Sequence, residues 1–159
     1  MAPDTSANKF ENLRLDNQLC FALYAATHAI TRAYRSLLTD LGITYPQYLV
    51  LIVLWEHDKV PVGEIAKRLQ LDAAALTPLV KRLESLGLIT RIRDSRDERV
   101  VRICLSEQGR DLEARAAGVQ TEVGCKTGLD AKQFYELRTQ LHGLVCALGQ
   151  TEEAQSVAA

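Results

Sequence analysis

The sequence lacks the cysteine spacings that mark a metal site or a disulfide framework. It has four cysteines, far apart and without a C-x-x-C pair: Cys20, Cys104, Cys125 and Cys146. Its three histidines have no metal-ligand spacing with one another or with the cysteines. These absences argue against a zinc site and against a disulfide-stapled secreted fold. We therefore expect no metal, no cofactor, and thiols that are free in a reducing compartment.

Long apolar runs are also missing. The longest, YLVLIVLW at residues 48–55, is far shorter than the roughly 20 residues that a bilayer span needs. The opening MAPDTSANKFEN has no basic segment followed by an apolar core, so we expect no signal peptide. The 159 residues are 47% hydrophobic and 25% charged, which is typical of one globular domain with its own core. We predict a cytoplasmic protein without a membrane partner.

Net charge is small, at −1, but its distribution is uneven. Residues 67–102 hold nine basic and five acidic side chains, which gives +4 there and −5 over the rest of the chain. Such a split predicts a basic face on an otherwise acidic molecule. Because a charge cluster alone is usually just a solvated face, the pattern of helices and strands must decide.

Apolar spacing predicts two helices in the first third of the chain. Leucine and alanine positions recur at intervals of three and four over residues 17–40, where Asp16 resembles a cap and Gly42 a stop. Pro46 opens a second helix that extends to about residue 57. This helix is apolar nearly all round, so we expect it at the centre of the domain.

A short helix, a capped helix and a hairpin follow. The short helix covers residues 62–69, and Asp72 caps the next one, which runs to residue 86. Pro78 requires that this helix either begins later or bends. After Gly87, LITRIR and RVVRICL alternate like strands around the polar turn DSRDE.

The C-terminal third predicts two long helices. Ser106 caps a helix over residues 107–123, which Gly124 and Gly128 interrupt, and a final helix spans residues 131–148. The whole order is that of a mostly α fold with a small β wing, a winged helix-turn-helix. We predict a DNA-binding region at 45–105, and a dimerisation region at 1–44 and 106–159 whose helices intertwine in a homodimer.

The predicted recognition helix and wing supply groups that suit DNA. Thr77, Lys81 and Arg82 share the polar side of the helix that would enter the major groove, although one amphipathic helix with solvated polar residues looks the same. The turn of the hairpin carries Arg96, flanked by acids and positioned to reach a narrow minor groove. We predict that Asp94 braces Arg99 across this turn. We also predict that the arginines of the two strands contact DNA phosphates: Arg91, Arg93 and Arg102.

The segment GEIAKRLQLDAAALTPLVKRLESLGLITRIRDSRDERVVRICLSEQGR resembles the MarR family of dimeric winged-helix regulators. The family's D-x-R-D-x-R wing stands here as Asp94, Arg96, Asp97 and Arg99. The resemblance implies a two-fold dimer on a pseudo-palindromic DNA operator, usually acting as a repressor and not as an enzyme. This chain departs from the family pattern at residues 73–75, where three alanines replace hydroxyl residues or glycine.

LDNQLCFALY and TYPQYLVLIVLWE resemble the organic-hydroperoxide-sensing OhrR branch of that family. The resemblance implies that Cys20 is the peroxide-reactive thiol, and that Tyr34 and Tyr45 of the partner subunit hydrogen-bond it and favour the thiolate. It also implies that Cys125 resolves the oxidised form, as in the two-cysteine subgroup. The side chains next to the thiol would form an apolar mouth for the hydroperoxide: Leu19, Phe21 and Tyr24.

We therefore hypothesise that an organic hydroperoxide oxidises Cys20, that a disulfide with Cys125 of the partner subunit follows, and that the repressor leaves DNA. Two alternatives stay open. In the first, a MarR-type repressor is released by a small aromatic ligand and its cysteines are incidental. In the second, the chain is a thiol peroxidase, which would leave the basic winged helix unexplained. We assign Cys104 and Cys146 to packing.

Overall fold

The structure, a computed structural model, describes residues 10–157 of the chain and the side chains of residues 10–149. The helices in this part are Leu19–Thr39 (α1), Tyr45–Glu56 (α2), Val62–Leu69 (α3), Ala73–Ser85 (α4), Glu107–Ala116 (α5), Val119–Lys126 (α6) and Ala131–Val157 (α7). The strands are Val60–Pro61 (β1), Ile89–Arg93 (β2) and Val101–Leu105 (β3). The predicted mostly α fold with a small β wing is confirmed. Of the helices described, none is long and apolar enough to cross a membrane.

The chain divides into two compact units, of which the first ends at Gln120 and the second begins at Thr121. This division follows the density of contacts within one chain. The predicted division into a DNA-binding region at 45–105 and a dimerisation region on either side of it is one of function, and it stays a prediction.

Helix α2 forms the centre of the first unit, as its sequence predicts. Val50, Leu51 and Leu54 are fully buried, on more than one side of the helix. The helix begins beside Thr44, whose backbone N–H donates to the side-chain oxygen of Gln47 at 2.9 Å. An all-round apolar surface is stable only where neighbouring elements cover every face, so this helix supports the others.

Helix α1 begins two residues later than predicted, and Asp16 is not its cap. Asp16 lies in a separate 3₁₀ turn, Leu15–Asn17, and Gln18 is the capping residue. The Gln18 amide folds back and donates to the backbone carbonyls of Asn12 and Arg14, so it makes no cap bond. As a result Cys20 is the second residue of α1 and lies in its first turn.

The helix-turn-helix follows the predicted order. Gln70 ends α3 in the left-handed conformation, at φ 54°. Asp72 caps α4, since its carboxylate accepts the N–H of Ala75 at 2.7 Å. The helix therefore starts at Ala73, and the alternative that it begins later is wrong. Pro78 lies inside the helix and lacks the N–H that would bond one turn back.

The wing is a three-stranded antiparallel sheet in the order β1-β3-β2, where the sequence predicted two strands. Val60 pairs with Ile103 and Pro61 with Arg102, so the short β1 covers the outer edge of β3. A two-residue strand that contains proline has no alternation to detect, which is why the sequence did not reveal it.

The break after α5 differs from the prediction. Ser106 caps α5 as predicted, accepting the N–H of Gly109 at 2.9 Å. However, the helix ends at Ala116, and α6 continues through Gly124. Only Gly128, at φ 70°, interrupts the helical path as predicted. Cys125 therefore lies in the last turn of α6 and not in a glycine-broken stretch.

Candidate DNA-binding surface and redox site

Helix α4 presents one apolar and one polar side. Its buried residues are Leu76, Val80 and Leu83. The predicted base-reading residues Thr77, Lys81 and Arg82 are all exposed on the other side. The Thr77 hydroxyl donates to the carbonyl of Ala73 at 2.6 Å, which leaves its oxygen free to accept. The structure thus brings the three predicted residues to one surface.

Asp94 organises the turn of the wing. Its Oδ1 accepts the backbone N–H of Arg96 at 2.8 Å and that of Asp97 at 3.4 Å. The Asp97 carboxylate in turn accepts the backbone N–H of Arg99 at 3.0 Å. The two acids of the motif therefore fold the backbone of the turn. Both arginines of the motif are exposed, and among the described residues no carboxylate pairs with their guanidinium groups.

The predicted brace between Asp94 and Arg99 is wrong, because the side-chain partner of Asp94 is Arg102. Arg102 pairs with Ile92 across the ladder, and Asp94 lies two residues beyond Ile92, so alternation places both charged side chains on one face at diagonal reach. The bond from Arg102, reinforced by the backbone N–H of Arg96, lowers the pKa of Asp94. The carboxylate is therefore ionised at neutral pH.

Arg91 is also paired, so its predicted contact with phosphate competes with a carboxylate of the chain itself. Its guanidinium contacts Glu84 of α4, and this hydrogen bond lowers the pKa of the Glu84 carboxyl.

Between α3, α4 and the wing lies a cavity of about 510 Å³, lined by apolar side chains of β1, α3, α4 and β3 together with Thr77, Arg91 and Arg99.

Cys20 is exposed, as a thiol that meets a diffusing oxidant must be. Its position in the first turn of α1 places it at the positive end of the helix dipole. The predicted neighbours Leu19, Phe21 and Tyr24 are 61%, 38% and 62% exposed. In one chain these side chains form an open apolar surface and not a closed mouth.

Tyr34 and Tyr45 lie together, and Tyr48 joins them. The ring centroids of Tyr34 and Tyr45 are 4.7 Å apart, and those of Tyr34 and Tyr48 are 5.9 Å apart. Burial, and then the neighbouring phenols, raise the pKa of Tyr34 to about 12, and burial also raises the pKa of Tyr45 and Tyr48. All three phenols are therefore protonated donors at neutral pH. Sequence reasoning missed Tyr48, although its spacing of three from Tyr45 was a signal.

One chain cannot bring Cys20 to its own Tyr34. Both residues belong to the continuous helix α1, and they are 14 residues apart. At 1.5 Å of rise per residue their backbones are about 21 Å apart along the axis. A phenol spans only a small part of that distance, so the Tyr34 hydroxyl cannot contact Cys20 of the same chain.

The remaining cysteines lie in different surroundings. Cys125 is exposed in α6, and Cys146 is exposed on α7, so packing within the chain does not explain Cys146. Cys104 is buried in β3, where desolvation and then the nearby Asp58 carboxylate raise the pKa of its thiol. The prediction that Cys104 serves packing is confirmed.

Three comparisons with known proteins agree with this geometry. A family described as "Transcriptional regulator SarA/Rot" matches residues 32–115. The organic hydroperoxide resistance transcriptional regulator of Bacillus subtilis is 46% identical over 142 residues, which are 85% of this chain and 97% of that protein.

Two solved structures of AbfR, a protein of Staphylococcus epidermidis, have the same fold. Reduced AbfR bound to DNA is 32% identical, with a TM-score of 0.74 over 90% of this chain and 98% of AbfR. The disulfide form of AbfR is 35% identical, with a TM-score of 0.60 over 85% of this chain and 95% of AbfR.

Proposed function

Because the chain belongs to the MarR family of winged-helix transcriptional regulators, in its organic-hydroperoxide-regulator branch, we propose that it is a repressor whose hold on DNA is controlled by oxidation of Cys20. The observation that carries this proposal is the exposed thiol in the first turn of α1, together with a separate cluster of protonated phenols in the same chain. A family of regulators, and not of enzymes, fits a thiol that reacts once and signals.

Exposed apolar side chains support a homodimer. On and just before α1 these are Leu15, Leu19, Tyr24 and Ile30, between 41% and 62% exposed, and on α7 they are Leu137, Val145 and Leu148, between 46% and 62% exposed. A second copy would cover such stripes and remove them from water. It would also bring its Tyr34 and Tyr45 to Cys20, a contact that the 14-residue spacing along α1 forbids for Tyr34 within one chain.

In the proposed reaction the Cys20 thiolate attacks the terminal oxygen of an organic hydroperoxide. The O–O bond breaks, the sulfur becomes a sulfenic acid, and the alkoxide takes a proton and leaves as the alcohol. The Cys125 thiol of the partner subunit then attacks the sulfenic sulfur, forming a disulfide and releasing water. The hydroperoxide is the oxidant in this sequence, and the two cysteines supply the two electrons.

Disulfide formation would couple to DNA binding through geometry. The two Cα atoms must approach to within roughly 7 Å. Cys125 lies in the last turn of the eight-residue α6, just before Gly128, so the end of that helix can shift at small cost. A dimer must present its two recognition helices about 34–36 Å apart, and a small rotation of the winged regions is enough to lose one half-site.

The test is DNA binding before and after oxidation. The DNA is a fluorescent duplex selected by the wild-type protein from a random library, and the oxidant is one equivalent of cumene hydroperoxide, followed by dithiothreitol. We expect reversible release for the wild type and no release for Cys20→Ser. Cys125→Ser should form sulfenate without an intersubunit disulfide on a non-reducing gel, and Cys146→Ser is the control. If Cys20→Ser is still released by peroxide, the proposed function fails.

The cavity beside α4 gives the alternative a physical basis. A small aromatic anion there would contact Arg91 or Arg99 and compete with DNA. In that case an aromatic acid such as benzoate would release Cys20→Ser and the wild type equally. Release by peroxide that depends on Cys20 favours the redox proposal.

A further inference from the structure

We propose that Arg102 is a positioning residue for DNA binding, which fixes the wing by clamping Asp94 to the loop after α2. This inference rests on the proposal that the wing contacts DNA. Arg102 lies outside the D-x-R-D-x-R motif, and its charge alone would assign it to phosphate.

The first half of the clamp joins two strands. The Nε of Arg102 donates to Oδ2 of Asp94, while Oδ1 of the same carboxylate accepts the backbone N–H groups of Arg96 and Asp97. Each oxygen thus has a separate task, one holding the turn and one holding β3. Without Arg102 the carboxylate would have to hold the turn while it is itself unrestrained.

The second half anchors β3 to the body of the domain. The Nη1 of Arg102 donates to the carbonyl of Lys59 at 3.0 Å. Lys59 has a positive φ of 61°, and Asp58 holds it there by accepting its N–H at 2.8 Å. The Asp58 carboxylate also accepts the N–H of Leu105 at 2.8 Å and pairs with Arg110 of α5. The loop is therefore a fixed anchor.

The planar fork of arginine is what the clamp requires. Two donors at different nitrogens of one guanidinium bind two different acceptors, the carboxylate of Asp94 and the carbonyl of Lys59. A lysine has a single nitrogen at the end of its chain and cannot occupy both directions with the same geometry. Arg102 is also less exposed than the other arginines of the wing, since 36% of its side chain is exposed.

The proposal separates positioning from charge through the salt dependence of binding. The logarithm of the DNA-binding constant falls linearly with the logarithm of the salt concentration. Each phosphate contact that is lost makes this slope less steep by about 0.9. We expect Arg96→Ala and Arg99→Ala each to reduce this slope. We expect Arg102→Gln to weaken binding about tenfold at every salt concentration with the slope unchanged, because the wing must then become ordered when DNA binds, while Arg96 and Arg99 keep their phosphate contacts.

Two further variants sharpen the test. Arg102→Lys keeps the charge but not the fork, so it should bind as weakly as Arg102→Gln. Asp94→Asn combined with Arg102→Gln should bind no worse than either single variant, since both remove one clamp. In the free protein, hydrogen exchange of the amides at 94–100 should be faster in both Arg102 variants, while the unfolding midpoint stays near that of the wild type.

The outcomes distinguish the two proposals. If Arg96→Ala and Arg99→Ala leave DNA binding intact, the wing does not contact DNA and the proposed function needs revision. If those variants do lose affinity, the further inference is overturned by any of three results. These are a reduced salt slope for Arg102→Gln, wild-type binding by Arg102→Lys, or additive losses in the double variant.

Discussion

Replacing Tyr34 by phenylalanine tests the phenol cluster on which the proposed sensing site depends. Tyr34 has a pKa of about 12 in the folded chain, where the ordinary value is 10.0. Between these values the unfolded chain releases a proton that the folded chain retains, so the free energy of unfolding falls as pH rises. Two pKa units at about 1.4 kcal/mol each correspond to roughly 3 kcal/mol of stability. This contribution is fully present well below pH 10 and is lost as pH rises through about 12.

Tyr34→Phe removes the titrating hydroxyl but keeps the ring that contacts Tyr45 and Tyr48. We expect the variant to lose about 2 kcal/mol less than the wild type between pH 9 and pH 12, since the folded phenol is only half ionised at the upper limit. Urea unfolding at several pH values, followed by the fluorescence of Trp55, the only tryptophan, measures the loss. Phenolate absorbance measures the titration directly. Tyr135→Phe, at a 60% exposed site, controls for the substitution itself.

The reasoning is refuted if the phenolate titration that is missing in Tyr34→Phe has its midpoint near pH 10. It is also refuted if the free energy of unfolding falls equally in the two proteins as pH rises. Either result would mean that water reaches the Tyr34 hydroxyl freely. A freely hydrated phenol hydrogen-bonds water instead of a thiolate, so the proposed role of Tyr34 would also be weakened.

Three further outcomes follow from the same structure. Tyr45→Phe should slow peroxide oxidation of the redox thiol about tenfold in a stopped-flow assay, since a hydrogen bond to a charged group contributes about 1.5–3 kcal/mol. Gly109→Ala should lower the free energy of unfolding by at least about 3 kcal/mol in urea, because its Cβ would lie 2.0 Å from the carbonyl oxygen of Leu88. Gly63→Ala, where nothing lies within 4 Å, should stay within about 1 kcal/mol of the wild type. Asp94 keeps the turn of the wing ordered at neutral pH. Amide NMR spectra should show this order being lost only as pH falls below about 4, because the pKa of the Asp94 carboxyl is lowered in the folded chain.

The sequence was most informative where structure is local. Asp72 and Ser106 cap their helices as predicted, and Gly42 and Gly87, at φ 75° and 71°, follow helices as predicted. A cap depends on a side chain and a backbone N–H three residues away, which the sequence order alone brings together. The prediction failed at Asp16, where Gln18 is the capping residue and its amide donates to backbone carbonyls before the helix, and after α5, which ends at Ala116.

The wing shows where sequence order stopped being sufficient. Five arginines lie within eight residues of Asp94 along the chain, and the pattern alone predicted Arg99 as its partner. The strand register chose Arg102 instead, and it also brought the Lys59 carbonyl to the same guanidinium. Register is a property of two paired strands, so neither strand by itself contains the answer.

The sequence by itself determined the order of the predicted helices and of the two hairpin strands, the buried central helix, the exposed basic side chains of α4 and the wing, and the separation of Cys20 from Tyr34 along α1. Those features follow from periodicity, charge and rise per residue. Only the tertiary structure decided which acid holds which arginine, that Tyr48 joins Tyr34 and Tyr45, and that a two-residue strand closes the wing. Such contacts join residues distant along the chain, and their free energy depends on burial and direction that appear only when the elements have packed.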